Sequence, residues 1–182
     1  MSEQRRIKVV ESDPSWRRSY TNEVALLQPV FGASFVASHH VGSTSVPRLP
    51  AKPTIDIVIE VTKQTDIPAF YPDMEKIGYT CRGECLNAVI PGIPGRFYFV
   101  RYAGTEHLVH VHVYCTGHHD IEEKLAFRDY LKAHATVAAE YATLKCELAE
   151  KNLYDNIGYM RGKDSFVKTT IEKAVKWRGD DI

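Results

Sequence analysis

The sequence predicts an α+β fold, a mixed sheet flanked by helices and followed by a helical C-terminal third. Three observations carry this. Short runs rich in β-branched and aromatic residues at 33–41, 54–61, 79–82, 97–101 and 108–114 are separated by turn residues. One stretch of helical periodicity precedes them, and from His118 onward apolar residues recur only at helical spacing. A chain of 182 residues, 44% of them hydrophobic, can bury roughly 70% of its unfolded surface, so residues 1–182 form one domain whose core needs no disulfide or metal.

Taken in order, Ile7, Lys8, Val9 and Val10 are β-prone and read as an edge strand. Trp16, Tyr20, Val24, Leu27 and Phe31 then share one helical face, with Asp13 as cap, Pro14 in the first turn and Gly32 as stop. The run 54–61 is almost continuously β-branched, as in a central strand covered on both faces. Asp56 inside it requires a partner, a metal or surface access. Glu60 shares its face but lies roughly 13 Å along the strand, so it reads as solvated. Residues 66–78 suggest a helix weakened by Pro68 and Pro72, and the loop 90–95 reads as a flap. Asp120 is read as the N-cap of the next helix. Val137, Tyr141, Leu144 and Leu148 mark one late face; Met160, Val167, Ile171 and Ala174 mark another. Arg128, Lys132, Lys145 and Lys163 are read as surface charges, and Tyr154 and Tyr159 as packing residues.

Charge narrows the function. There are 23 Lys and Arg against 23 Asp and Glu, which argues against a nucleic-acid polymer as partner and favours a small anionic ligand met by locally placed cations. The lack of a long apolar run argues against a membrane partner, and the N-terminal residues lack a signal-peptide pattern, so a cytoplasmic protein is expected. The four cysteines show no paired metal spacing and read as reduced thiols.

The densest polar chemistry is His39, His40, Val41, Gly42, Ser43, Thr44, Ser45, then Lys52 and Asp56. A Gly/Ser/Thr turn after a strand can present amides and hydroxyls to phosphate, with Arg48 and Lys52 adding charge. It can equally be a connection whose hydroxyls cap its own backbone. His110 and His112 share a strand face, suited either to a metal beside Asp56 or to hydrogen bonds within the sheet. Arg96 and Arg101 flank the preceding strand. A cupin site is disfavoured because Thr116 and Gly117 stand where its Glu would follow His112 and the C-terminal third is helical.

The block from His40 to Val61 resembles the GrpB family. The resemblance continues through Asp13 to Trp16, Gly78 to Glu84, Gly92 to Phe99, His110 to Val113, Leu125 to Leu131, Tyr141 to Lys145 and Lys163 to Phe166. It implies a nucleotidyltransferase-like fold in which Gly42 and Ser43 hold nucleotide phosphates; Thr44 and Ser45 extend that phosphate site, and Lys52, Arg96 and Arg101 are expected to balance its anionic charge. It further implies that Asp56 ligates a divalent metal, Mg²⁺ or Mn²⁺ or else Zn²⁺, with His110 and His112 as metal ligands or proton relays. The superfamily's second carboxylate is missing, since Val58 follows Asp56 at that spacing, and Arg48 stands where relatives commonly carry Gly. The leading expectation is transfer of a nucleotidyl group from a nucleoside triphosphate to a small acceptor. The alternatives are a non-catalytic nucleotide or anion-binding domain and a metal-dependent hydrolase centred on His110 and His112.

Overall fold

A computed structural model describes residues 6–84 and 92–180. Its elements are α1 (Ser15–Phe31), β1 (Phe35–Val41), β2 (Ile55–Val61), α2 (Tyr71–Lys76), β3 (Tyr79–Cys81), β4 (Phe97–Ala103), β5 (Glu106–Cys115), α3 (His119–Ala133), α4 (Ala135–Lys151) and α5 (Asn156–Asp180). The strands form a mixed sheet in the order β1, β2, β5, β4, β3, parallel only between β2 and β5.

Strand alternation divides the chemistry between two faces. Ile55, Ile57, Ile59 and Val61 of β2 join Val109, Val111 and Val113 of β5 in the main core, beneath Trp16, Leu27 and Phe31 of α1 and Met74 of α2. Each such fully buried side chain contributes roughly 1.5–3 kcal/mol. The opposite face carries Asp56, Val58, His110, His112 and Tyr114. There Val58 and Tyr114 pack with Ile121 of α3. Covered on both sides, β2 is almost continuously β-branched apart from Asp56 and Glu60, as expected, although β5 holds the middle of the sheet.

The caps of α1 follow the sequence: Asp13 Oδ1 accepts from the Ser15 amide at 2.7 Å, and Gly32 leaves the helix at φ 49°. Other expectations are corrected. Ile7 to Val10 is not a sheet edge, because its backbone finds partners elsewhere: Val10 bridges Ala51 and the Ile7 amide donates to Leu153 O at 2.7 Å. The segment 66–78 is a 3₁₀ turn, Ile67–Phe70, leading into the six-residue α2, since Pro68 and Pro72 each remove an amide donor. At α3 the N-cap is His118, whose Nδ1 accepts from the Asp120 amide; Asp120 itself is buried and takes the Tyr114 hydroxyl. Of the flap, 90 and 91 lie outside the described residues. Pro94 and Gly95 are tied down, by His118 Nε2 at 2.9 Å from Pro94 O and by Glu84 accepting from the Gly95 amide at 3.1 Å. Among the described residues no helix is long and apolar enough to cross a membrane.

Candidate functional site

Parallel pairing places Asp56 beside His110 and Val58 beside His112, and antiparallel pairing sets Tyr98 of β4 against His112. Asp56 Oδ1 lies 3.0 Å from His110 Nδ1, and His110 Nε2 lies 2.8 Å from His107 Nδ1. An ionised carboxylate only accepts, so His110 Nδ1–H donates to Asp56 and Nε2 is turned towards His107. Burial alone would raise the Asp56 pKa. The His110 hydrogen bond, with the nearby Lys163 charge, outweighs burial and holds the group below the usual carboxylate range.

His107 is three positions from His110, and simple strand alternation would put it on the other face. The register shift between Arg101 and Tyr102 opposes Arg101 to Val109 and Tyr102 to His107. Leu108 is therefore an extra residue, and this bulge turns His107 onto the Asp56 face. His112 stacks on Tyr98 with ring centroids 5.1 Å apart, and its Nδ1 is buried with no hydrogen-bond partner. Burial, reinforced by the Lys124 charge, pushes its pKa well below the ordinary imidazole value, so the ring is neutral.

The turn after β1 begins at Gly42 and makes a 3₁₀ turn over Ser43–Ser45. Ser45 Oγ donates to Gly42 O at 2.6 Å, closing the turn. Thr44 is buried; its hydroxyl donates to Thr54 O at 3.3 Å and lies 3.0 Å from His40 Nε2. Ser43 neighbours the Tyr141 hydroxyl. Ser43, Thr44, Lys52, Asp56, Arg96, His107, His110, His112, Lys145 and Lys163 line one cleft of about 810 Å³. Lys52 Nζ lies 3.2 Å from Asn156 Oδ1 and 4.3 Å from the Tyr159 ring, while Lys163 approaches that ring to 5.0 Å. Arg96 Nε is buried without a hydrogen-bond partner.

Two expected roles move. Arg101 is not in the cleft: it lies on the α1 side, ion-paired with the buried Glu23, which also accepts from Tyr79 Oη at 2.6 Å. Arg96 and Arg101 are an odd number of residues apart on an extended segment, a signal that they face opposite sides. Glu60 is not solvated; it lies 2.5 Å from His39 Nε2. His107 joins the site without a signal in the sequence, and Lys145 and Lys163 line the cleft where surface charges are expected. Lys145, four residues after Tyr141, already sat on the predicted apolar face, and it is only 1% exposed.

The donor set does not make a two-carboxylate metal clamp. Val58, where the second acid would stand, is fully buried, Asp56 and His110 satisfy each other, and the His112 ring lies against Tyr98. Among the described residues no group of three or more His, Cys, Asp or Glu side chains is arranged to hold a metal ion.

The chain is similar to the UPF0157 protein YqkA of Bacillus subtilis (strain 168), with 40% identity over 174 residues that cover 96% of this chain and 49% of that protein. It thus spans about half of YqkA's length. It is similar to the crystal structure of the conserved protein GrpB from Enterococcus faecalis, at a TM-score of 0.86 and 32% identity, covering 94% of this chain and 99% of that one. A weak similarity links it to the Cid1 poly(U) polymerase bound to Mg 3'-dATP, at a TM-score of 0.48 and 13% identity over 71% of this chain and 40% of that one. The family model described as GrpB protein matches residues 6–173, and the chain belongs to the GrpB family.

Proposed function

We propose that the cleft binds a nucleoside triphosphate, or a smaller anion of the same chemistry, through its phosphate groups. One observation carries this reading: Lys52, Arg96 and Lys163, from three separate parts of a chain with no net charge, converge on a single cleft beside Ser43 and Thr44. Cations gathered in a partly desolvated cleft repel one another, and an anion with several oxygens relieves that repulsion through charge-assisted hydrogen bonds. Tyr98 and Tyr102, both partly exposed, line the same cleft and offer aromatic surface to a base. The cytoplasmic placement belongs to this proposal and agrees with free thiols at Cys81, Cys115 and Cys146.

Calorimetry with ATP and with inorganic triphosphate, each with and without Mg²⁺ or Mn²⁺, tests the reading. Binding is expected, weakened about tenfold, or about 1.4 kcal/mol, by Lys52→Ala or Lys163→Ala. Absence of binding to any nucleotide or polyphosphate, or variants that bind as well as the parent, overturns it.

A second reading, nucleotidyl transfer to a small acceptor, is favoured by the chain Asp56, His110, His107. Asp56 orients His110, and the His110–His107 pair offers imidazole nitrogens to take a proton as the acceptor oxygen forms its bond to phosphorus and pyrophosphate leaves. Pyrophosphate release that is lost in His107→Phe while ATP still binds supports transfer. Binding without release leaves a binding domain, and hydrolysis without nucleotide preference favours the hydrolase.

A further inference from the structure

We propose that Lys145 is a carbonyl-reactive amine that forms an imine with an aldehyde or ketone carrying a phosphate group. Lys145 stands on α4 at the wall of the cleft, with Nζ 4.6 Å from the Tyr141 ring centroid and donating to Pro50 O. A charged ammonium there is stabilised by one neutral carbonyl and one ring face. Lys163, lining the same cleft, opposes a second positive charge. Burial, and then the Lys163 charge, lower the Lys145 pKa to about 7. Near neutral pH much of the amine is therefore unprotonated, the form that attacks carbonyl carbon.

In the reaction the Lys145 nitrogen lone pair forms the N–C bond and the carbonyl electron pair moves to oxygen. The two amine hydrogens then leave with that oxygen as water, giving C=N. The amine, buried at rest, gives up its contact with Pro50 and turns into the cleft to react. Lys52 and Lys163 lie in the same cleft to receive the phosphate. This shares its phosphate chemistry with the proposed function but requires no nucleotide.

The test is incubation of the full chain with pyridoxal 5′-phosphate near neutral pH, borohydride reduction and peptide mapping. The adduct is expected on Lys145 ahead of Lys76 and Lys168, whose side chains are 74% and 71% exposed. Pyridoxal, which lacks the phosphate, should label Lys145 at least about tenfold more slowly, and Lys163→Gln should slow labelling severalfold, because a neutral neighbour no longer favours the free amine. Adduct confined to exposed lysines, or equal labelling by pyridoxal, overturns the proposal. The mapping uses the parent protein, so it does not depend on a Lys145 variant folding. ATP binding is measured in parallel: adduct without ATP binding defeats only the nucleotide reading, and ATP binding without adduct defeats only this one.

Discussion

Gly42 and Asp56 are in such close approach that a Cβ on residue 42 would overlap Asp56 Oδ2. Gly42 also adopts φ 69°, ψ −176°, a region essentially reserved for glycine. The carboxylate and the turn are thus packed as one unit. Gly42→Ala is expected to cost about 3 kcal/mol in urea denaturation, from backbone strain together with the collision. In whatever fraction folds, ATP affinity should fall, because the alanine displaces the Asp56–His110 pair.

Arg48 is the non-glycine residue with positive φ among the described residues, at 62°, and stands where the family resemblance expects Gly. A left-handed conformation costs an L-residue roughly 1–2 kcal/mol, partly offset by the greater unfolded-state freedom of glycine. Arg48 is exposed, so little packing is lost. Arg48→Gly should raise stability by about 1 kcal/mol and Tm by about 3 °C, read by calorimetry. An unchanged or lower Tm would show that the Arg48 side chain stabilises the turn.

Arg101 separates structure from binding. Its Glu23 partner is 8% exposed at the side chain, and removing one member of a buried pair leaves an uncompensated charge. Arg101→Met should cost about 3 kcal/mol while leaving ATP affinity within about twofold of the parent, an equivalence of at most about 0.4 kcal/mol. Loss of affinity in a folded variant would return Arg101 to the site.

Lys145 should imprint a pH dependence on stability. Its folded pKa, about 7, lies below the unfolded value of about 10.4. Between these values the unfolded chain holds the extra proton, so unfolding becomes harder as pH rises, with a slope of up to about 1.4 kcal/mol per pH unit. Below about pH 7 both states are protonated and this slope vanishes. Lys145→Met should flatten the profile from about pH 7 to about pH 10 relative to the parent, as measured by urea titrations at several pH values. Parallel profiles would show that Lys145 keeps an ordinary pKa.

The elements that were legible are those whose signals are local. The α1 face, the nearly continuous β-branched run of β2 and the stop at Gly32 all follow from spacing within a few residues. Within the site, Ser43, Thr44, Lys52, Asp56, Arg96, His110 and His112 follow from motif spacing in the sequence, and the fold brings them to one cleft. His107 was hidden because a single extra residue in β5 reverses its direction, and a bulge leaves little trace in composition. Thr44 and Ser45 were legible as a polar turn, but whether their hydroxyls face a ligand or their own backbone depends on how tightly the turn closes.

By itself the sequence determined that this chain is an α+β domain of the GrpB family with a polar turn, a strand acid and paired imidazoles, because periodicity, turn chemistry and motif spacing are properties of neighbouring residues. Only the tertiary structure decided which cations share the cleft. Lys163 comes more than a hundred residues after Asp56 along the chain and shares its cleft through the packing of α5, while Arg101 is held on the α1 side by Glu23. Charges act through space, so a net balance of zero in the sequence leaves open the strongly cationic cleft that folding assembles.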